Sequence, residues 1–253
     1  MIRIQQLKVP LAADDASREV RLENKIRKEL QLSPDQPLTY EIRKCSIDAR
    51  KKPELFYVYT VDVCMRGEGR LVKKLHRPNI VCVQEKRYHF PKHGDEPLKH
   101  PPVVVGAGPA GLFCAYELAL HGYRPLLVER GRRVEERTAD VAEFWESGVL
   151  KPDSNVQFGE GGAGTFSDGK LNTMVKDPDG RGRHVLELLC KFGAPPEILY
   201  ESRPHIGTDI LTAVIRNMRE EIRRLGGRFF FQTKLIDLLV SDGRLTGVVV
   251  RTP

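Results

Sequence analysis

Apolar and polar residues along this chain alternate with two different periods, and the change of period divides it. Residues 2–9, with Ile2, Ile4, Leu7 and Val9 set among polar residues, read as a strand. Residues 17–30 instead carry apolar positions at helical spacing among many charges, and residues 39–47, 55–65 and 80–83 return to strand patterns. Strands flanking one helix predict a small α+β domain over residues 1–90, with one helix-covered sheet. The segment FPKHGDEPLKHPP, ending at Pro102, packs four prolines and two histidines together without any apolar period, so residues 91–102 are expected to be a linker.

A different order follows. Val103, Val104 and Val105 form a short apolar run that stops at glycine. Residues 109–121 then read as a helix opened by Pro109 and closed by Gly122, and residues 124–128 as a strand ending at Glu129. Residues 137–147 predict a helix and 150–182 a glycine-rich loop, while Leu211, Val214, Ile215, Met218, Ile222 and Leu225 mark one face of a helix over 208–225. Residues 228–232, 234–240 and 245–250 predict strands, the last two joined by an Asp242-Gly243 hairpin turn. The expected fold is therefore α/β, Rossmann-type, over residues 103–253, after the small α+β domain.

Charge adds one asymmetry. The net charge of +7 resides in residues 1–100, which hold 21 Lys and Arg against 14 Asp and Glu, whereas the remainder holds 20 of each. Arg43-Lys44 and Arg50-Lys51-Lys52 could meet RNA phosphates, but no zinc-finger spacing or RNA-binding aromatic motif accompanies them, so an ordinary solvated face is expected rather than a nucleic-acid partner. Five scattered cysteines without a CxxC pair fit neither a disulfide framework nor a zinc site, and point to a reducing, cytoplasmic setting. Residues 1–15 lack the apolar core of a secretory leader, and residues 101–120, the best candidate for a membrane span, are broken by three glycines, Pro109 and Glu117. Pro91 between His89 and His93 prevents a helical metal-ligand pair, and no histidine is tied by motif to Ser167 and Asp168, so neither a metal site nor a hydrolase is expected.

The chemistry concentrates in two glycine runs. Gly106-Ala107-Gly108-Pro109-Ala110-Gly111 leaves an apolar strand, opens a helix, and is followed by a second strand ending in Glu129, eighteen residues past Gly111. In a dinucleotide site Gly106 turns out of the strand, Gly108 lets backbone approach a pyrophosphate, and Gly111 allows close helix–sheet packing. The pyrophosphate then meets the free N–H groups and positive dipole end of the Pro109 helix. Glu129 is expected to accept from the adenosine ribose hydroxyls and to oppose a 2′-phosphate, subject to Arg130 beside it. The second run, from Gly159 to Lys170, holds five glycines in eleven residues, interleaved with Phe158 and Phe166. Such density is entropically costly, and makes sense where N–H groups converge on an anion or a flat ring.

The run VVVGAGPAGLFCAYELALHGYRPLLVERG, together with FWESGVLKPDSNVQFGEGGAGTFSDGKLNT, resembles the bacterial FAD-dependent dehydrogenases of uncharacterised function, within the glutathione-reductase-like flavoproteins. The resemblance spans most of the chain, including an N-terminal extension similar to residues 1–100. It implies FAD bound in an extended form, with the first loop on the pyrophosphate and residues 159–170 near the pyrophosphate or the isoalloxazine. The strand around residues 233–235, with Leu235, is similar to the segment whose backbone meets adenine. Lys170 and the N–H groups of Gly161, Gly162 and Gly164 become candidates to stabilise reduced flavin, with NAD(P)H as a candidate electron donor and an unspecified small molecule as substrate. Such flavoproteins supply a late glycine-aspartate motif and a substrate domain that this sequence does not display, so it is expected to be the N-terminal half of one. Two other classes stay open: a nucleotide- or RNA-binding accessory protein without redox turnover, and a simple NAD-binding dehydrogenase.

Overall fold

The computed structural model describes every residue except 12, 13, 168, 172 and 174. The chain divides into two compact units. The first comprises residues 1–87 with 174–183 and 196–204, and the second comprises residues 88–173, 184–195 and 205–253.

In the first unit, β1 (Ile2–Pro10), α1 (Asp15–Leu30), β2 (Thr39–Lys51), β3 (Glu54–Cys64), α2 (Glu68–Leu75) and β4 (Ile80–Cys82) build an antiparallel sheet in the order β2-β3-β1-β4. This is the split β-α-β arrangement, an α+β fold. Helix α1 begins where Asp14 accepts the Ser17 N–H at 2.7 Å, and it ends as Gln31 turns left-handed. Its stripe of Leu22, Ile26 and Leu30 is buried against Ile2, Ile4, Leu7, Val9, Tyr59, Val61 and Val63. Each fully buried Leu or Ile contributes about 1.5–3 kcal/mol, which is what holds sheet and helix together. Helix α2 has no counterpart in the sequence reading: its eight residues follow Gly67 and contribute no fully buried side chain.

On the opposite face of that sheet Asp62 is buried, yet it accepts from Arg3 Nε at 2.7 Å, Arg3 Nη2 at 2.8 Å and Arg43 Nε at 2.7 Å. Burial raises the carboxyl's proton affinity, but the two guanidiniums outweigh it and hold Asp62 below the ordinary carboxylate range. Lys8 is likewise paired with Asp48 at 2.9 Å. Arg3, Arg43 and Lys8, three cations of the first unit, are thus held in ion pairs with its own carboxylates.

In the second unit, β5 (Val103–Val105), α3 (Pro109–Leu120) and β6 (Leu126–Val128) form a β-α-β turn. Helices α4 (Val134–Ser147) and α6 (Thr208–Arg224) precede β7 (Arg228–Phe230), and α5 (Arg181–Lys191) lies between them in sequence. The parallel sheet runs β5-β6-β7, with Val104 opposite Leu127 and Leu127 opposite Phe229. Val214, Ile215, Met218 and Ile222 are buried on α6, at the expected spacing. Strands β8 (Lys234–Ser241) and β9 (Arg244–Arg251) pair antiparallel through Asp242 and Gly243, both at positive φ as the tight hairpin requires. The architecture is therefore mixed α/β with a parallel sheet after an antiparallel α+β region. Among the described residues no helix is long and apolar enough to cross a membrane.

Candidate functional site

The turn from β5 into α3 sorts its glycines by cause. Gly106 has φ 93°, a conformation L side chains rarely adopt, and its N–H donates to Val128 O at 2.7 Å, which ties the turn to β6. Gly111 is required by packing, because a Cβ there would lie 1.8 Å from Gly106 O. Neither reason applies to Gly108. Its φ is −71°, and a Cβ would meet nothing nearer than Gly162 Cα at 4.0 Å. The missing side chain faces a cleft of about 370 Å³ at the N-terminus of α3.

The cleft brings together Gly106, Gly108, Glu129, Arg130, Gly162 and Leu235 from the residues singled out in the sequence. Pro109, Ala110 and Gly111 belong to the first turn of α3 behind it. Glu129 is buried, and its carboxylate bridges two loops, accepting the Ala107 N–H at 2.7 Å on Oε2 and the Gly131 N–H at 2.8 Å on Oε1. It is a structural pin of the turn as well as a wall of the cleft. Each oxygen keeps a further lone pair for a ligand hydroxyl. Arg130 lies over the Phe158 ring at 4.0 Å and pairs with Asp153 at 3.0 Å. Phe158, Gln157 and Gly159 from the second loop complete that side.

The second glycine loop docks directly on the first. Gly161 N–H donates to Ala107 O at 2.8 Å and Gly162 N–H to Gly159 O at 3.0 Å, so these two donors, expected to face a ligand, are engaged within the protein. A Cβ on Gly162 would come within 3.0 Å of Pro109 Cδ and 3.3 Å of Gly108 Cα, so glycine here permits the close approach of the two loops. Gly164 lies in a short 3-10 turn, Ala163–Phe166, with open space where a Cβ would be. Lys170 forms an isolated bridge with His205 and does not line the cleft. Asp168 lies outside the described residues.

What orders the second loop is a residue the sequence reading passed over. Arg137 of α4 is fully buried and donates to the carbonyls of Asn155 (2.8 Å), Val156 (3.1 Å), Glu160 (2.7 Å), Gly162 (2.9 Å) and, at 3.4 Å, Gly159. Phe166 lies against the guanidinium, 4.7 Å from its ring centre. Burial lowers the Arg137 pKa to about 10, against the pull of Glu129 and Glu160. Glu160 is fully buried as well, and burial pushes its carboxyl up to about 7 although Oε2 accepts from Arg219 Nη1 at 2.6 Å and from the Val134 N–H at 2.7 Å. Glu160 Oε1 and Thr165 Oγ1 have no hydrogen-bond partner among the described residues. Arg219 also grips Glu135 at 2.6 Å. A signal for these residues existed: Arg137 shares a stripe of α4 with Val134 and Val141, and Arg219 stands between Ile215 and Ile222 on α6. A charge within an apolar stripe marks a buried polar partner.

Strand, glycine turn, helix and acidic second strand define a Rossmann-like dinucleotide-binding unit. Residues 104–142 match the NAD(P)-binding Rossmann-like domain, and residues 1–64 match a domain of unknown function, DUF8436. An uncharacterized protein of Clostridium beijerinckii is 48% identical over 229 residues, which cover 90% of this chain and 43% of that protein. The chain thus spans less than half the length of this curated relative. Among solved structures, THI4 of Thermovibrio ammonificans is similar with a TM-score of 0.38 and 19% identity, over 60% of this chain and 47% of that one. Glycine oxidase from Bacillus cereus gives 0.31 and 14%, over 60% and 53%, and L-amino acid deaminase from Proteus vulgaris 0.30 and 16%, over 64% and 46%. Similarity at this level says nothing of cofactor or reaction.

Proposed function

We propose that this chain binds FAD in an extended form and is the dinucleotide-binding part of a flavin-dependent oxidoreductase, acting on a small molecule with NAD(P)H as a candidate electron donor. The observation that carries the reading is Gly108: neither its φ nor its surroundings call for glycine, while a pyrophosphate laid across the N-terminus of α3 does. The turn held by Glu129 presents the α3 amides to that pyrophosphate, and the carboxylate's remaining lone pairs suit ribose hydroxyls. The backbone around Leu235 walls the adenine side. A second glycine loop docked on the first favours FAD over NAD, because it extends the cradle beyond what a single NAD half-site uses; Gly159 and Gly162 are its glycines that line the cleft. Lys170, outside the cleft lining, is given no role at the flavin. When bound, the flavin would supply the hydride or electron transfer itself, and the protein its position and polarity.

The test is the visible spectrum of the purified protein, with identification of what denaturation releases. Oxidised flavin bands and released FAD are expected, and Gly108→Val should abolish both while leaving the fold intact. Stoichiometric NAD with no flavin would overturn the choice of cofactor.

A further inference from the structure

Glu160 stands in the second glycine loop amid more negative charge than the neighbouring cations answer. Helix α6 supplies Arg219, whose Nη1 donates to Glu160 Oε2 at 2.6 Å, but the same guanidinium also takes Glu135 of α4 at 2.6 Å and Glu220 at 3.0 Å. Arg223 is turned to Glu220 at 3.2 Å, and Arg133, just before α4, to Glu136 at 2.9 Å. Arg137 of α4 acts on Glu160 and Glu129 by its charge, while its hydrogen bonds go to loop carbonyls. Glu129, Glu135, Glu160 and Glu220 thus share the three guanidiniums of Arg137, Arg219 and Arg223. Glu129 is compensated by two backbone N–H groups, and Glu135 and Glu220 reach water, with side chains 42% and 55% exposed. Glu160 is 0% exposed. Its two oxygens differ: Oε2 accepts from Arg219 and from the Val134 N–H, whereas Oε1 has no hydrogen-bond partner among the described residues. Thr165 Oγ1, buried in the same loop, has none either. A buried carboxylate oxygen without a donor is costly when ionised, and far less so when it carries a proton.

We propose that the second glycine loop is a proton-linked clasp, which closes on the first loop with Glu160 protonated on Oε1 and gives that proton up when it opens to water. Closed, the neutral carboxyl still accepts from Arg219 and Val134 on Oε2, and the excess negative charge is gone. Open, it is an ordinary solvated carboxylate. Burial pushes the carboxyl up to about 7 in the closed loop, against an ordinary 4.5. A group raised in the closed state stabilises that state below its ordinary value, and the contribution is lost as pH rises from 4.5 through 7. The clasp carries Gly159 and Gly162, which line the cleft, so one wall of the cleft tightens as the solution is acidified, whatever the cleft holds.

The experiment follows hydrogen exchange at single amides of the ligand-free protein from pH 5 to pH 8, each rate divided by the intrinsic rate at that pH. Protection of the Gly161 N–H, which donates to Ala107 O across the closure, should rise about tenfold or more from pH 8 to pH 5, since one linked proton gives a tenfold change per pH unit between its two pKa values. The Leu126 N–H, bonded to Pro102 O in the parallel sheet, should stay better protected than Gly161 throughout, because the loop opens without the sheet. Glu160→Gln, neutral at every pH, should remove the rise. Glu135→Gln alters only a half-exposed side chain and leaves Arg219 freer for Glu160, so the rise should begin at lower pH; this variant and the native series decide the matter even if Glu160→Gln does not fold. Equal protection of Gly161 at pH 5 and pH 8, a rise that persists in Glu160→Gln, an onset that does not move down in Glu135→Gln, or Gly161 and Leu126 exchanging at one rate overturns the clasp. No ligand enters the measurement, so its outcome is separate from that of the FAD proposal.

Discussion

Replacing Arg137 tests the organisation of the site at its least replaceable point. The guanidinium is fully buried, and burial outweighs the pull of Glu129 and Glu160 and holds its pKa at about 10, a net cost of the buried charge on the order of 3 kcal/mol. Five hydrogen bonds to loop carbonyls offset that cost. Arg137→Met keeps much of the volume and removes the burial cost, but it leaves those carbonyls without donors, and each unsatisfied buried group costs about 1–3 kcal/mol. Some will reach water as the loop opens, so the net loss should be about 3 kcal/mol, taken locally rather than from the whole fold. The readout is hydrogen exchange at the Gly161 and Gly162 amides, whose bonds to Ala107 and Gly159 depend on the loop's path. Exchange there should accelerate about a hundredfold, since every 1.4 kcal/mol is a factor of ten, while the β1–β3 amides of the first unit stay unchanged. Arg137→Lys should recover only part of the protection, because an ammonium offers three donors from one point and lacks the planar fork. Unaltered exchange in Arg137→Met would refute the reasoning, for the loop would then hold its shape without the residue at its centre.

The remaining glycine, carboxylate and charge predictions are simpler. Gly111→Ala should destabilise the fold by about 1–3 kcal/mol or more, and so lower the unfolding midpoint, since its Cβ meets Gly106 O at 1.8 Å; an unchanged midpoint would mean that the turn can shift freely. Glu160 has its pKa raised to about 7, so the unfolded state loses this proton first, and the group's contribution to stability falls as pH rises from the ordinary carboxylate value of 4.5 through 7. Glu160→Gln should flatten that decline, worth up to about 3 kcal/mol, in unfolding midpoints taken across pH 5 to 8. Asp62 behaves oppositely: its pKa is depressed, so its stabilisation is present above the ordinary carboxylate value and lost as pH falls through the lower folded value. Asp62→Asn should cost the first unit about 1–3 kcal/mol at pH 7 and nearly nothing in strong acid; an equal loss at both ends of a pH series would show that the ion pairs with Arg3 and Arg43 are not the cause.

Most of the elements were legible because each buries a face whose period appears in the residues themselves. The stripe Leu22, Ile26, Leu30 and the strand positions Ile2, Ile4, Leu7 and Val9, stepped once by a bulge between Ile4 and Leu7, write the first unit's core into the chain. Helix α2 escaped because eight residues after a glycine bury nothing completely. Helix α5 escaped because the glycine-rich reading ran past its start, although Leu188 and Leu189 are buried on it. The units themselves are discontinuous: residues 196–204 return to the first, where Cys45 N–H donates to Tyr200 O and Ser202 N–H to Cys45 O, beside β2. No local pattern announces such a pairing, since it rests on backbone hydrogen bonds and on one from the Ser202 hydroxyl to Cys45 O at 2.9 Å, between residues more than 150 positions apart.

The glycines show most clearly where sequence ends and structure begins. In the chain Gly106, Gly108, Gly111, Gly162 and Gly164 are the same letter. In space they divide by what a Cβ would do. Gly106 is fixed by a left-handed turn, Gly111 by the carbonyl it would strike, and Gly162 by the meeting of two loops, so all three serve the protein whatever it binds. Gly108 and Gly164 face open space at ordinary backbone angles, where an alanine would lower the conformational entropy of the unfolded chain and stabilise the fold by about 0.4–1 kcal/mol. A glycine at such a position forgoes stability that the fold would accept, and at Gly108, which lines the cleft, a bound ligand would supply the compensation. Alanine at each therefore separates the two kinds of cause. Gly108→Ala and Gly164→Ala should leave the unfolding midpoint of the ligand-free protein equal or higher, and Gly108→Ala should weaken dinucleotide retention, whereas alanine at Gly106, Gly111 or Gly162 should lower that midpoint directly. A midpoint that fell equally at all five positions would return Gly108 to the protein's own packing and remove the observation on which the dinucleotide reading rests.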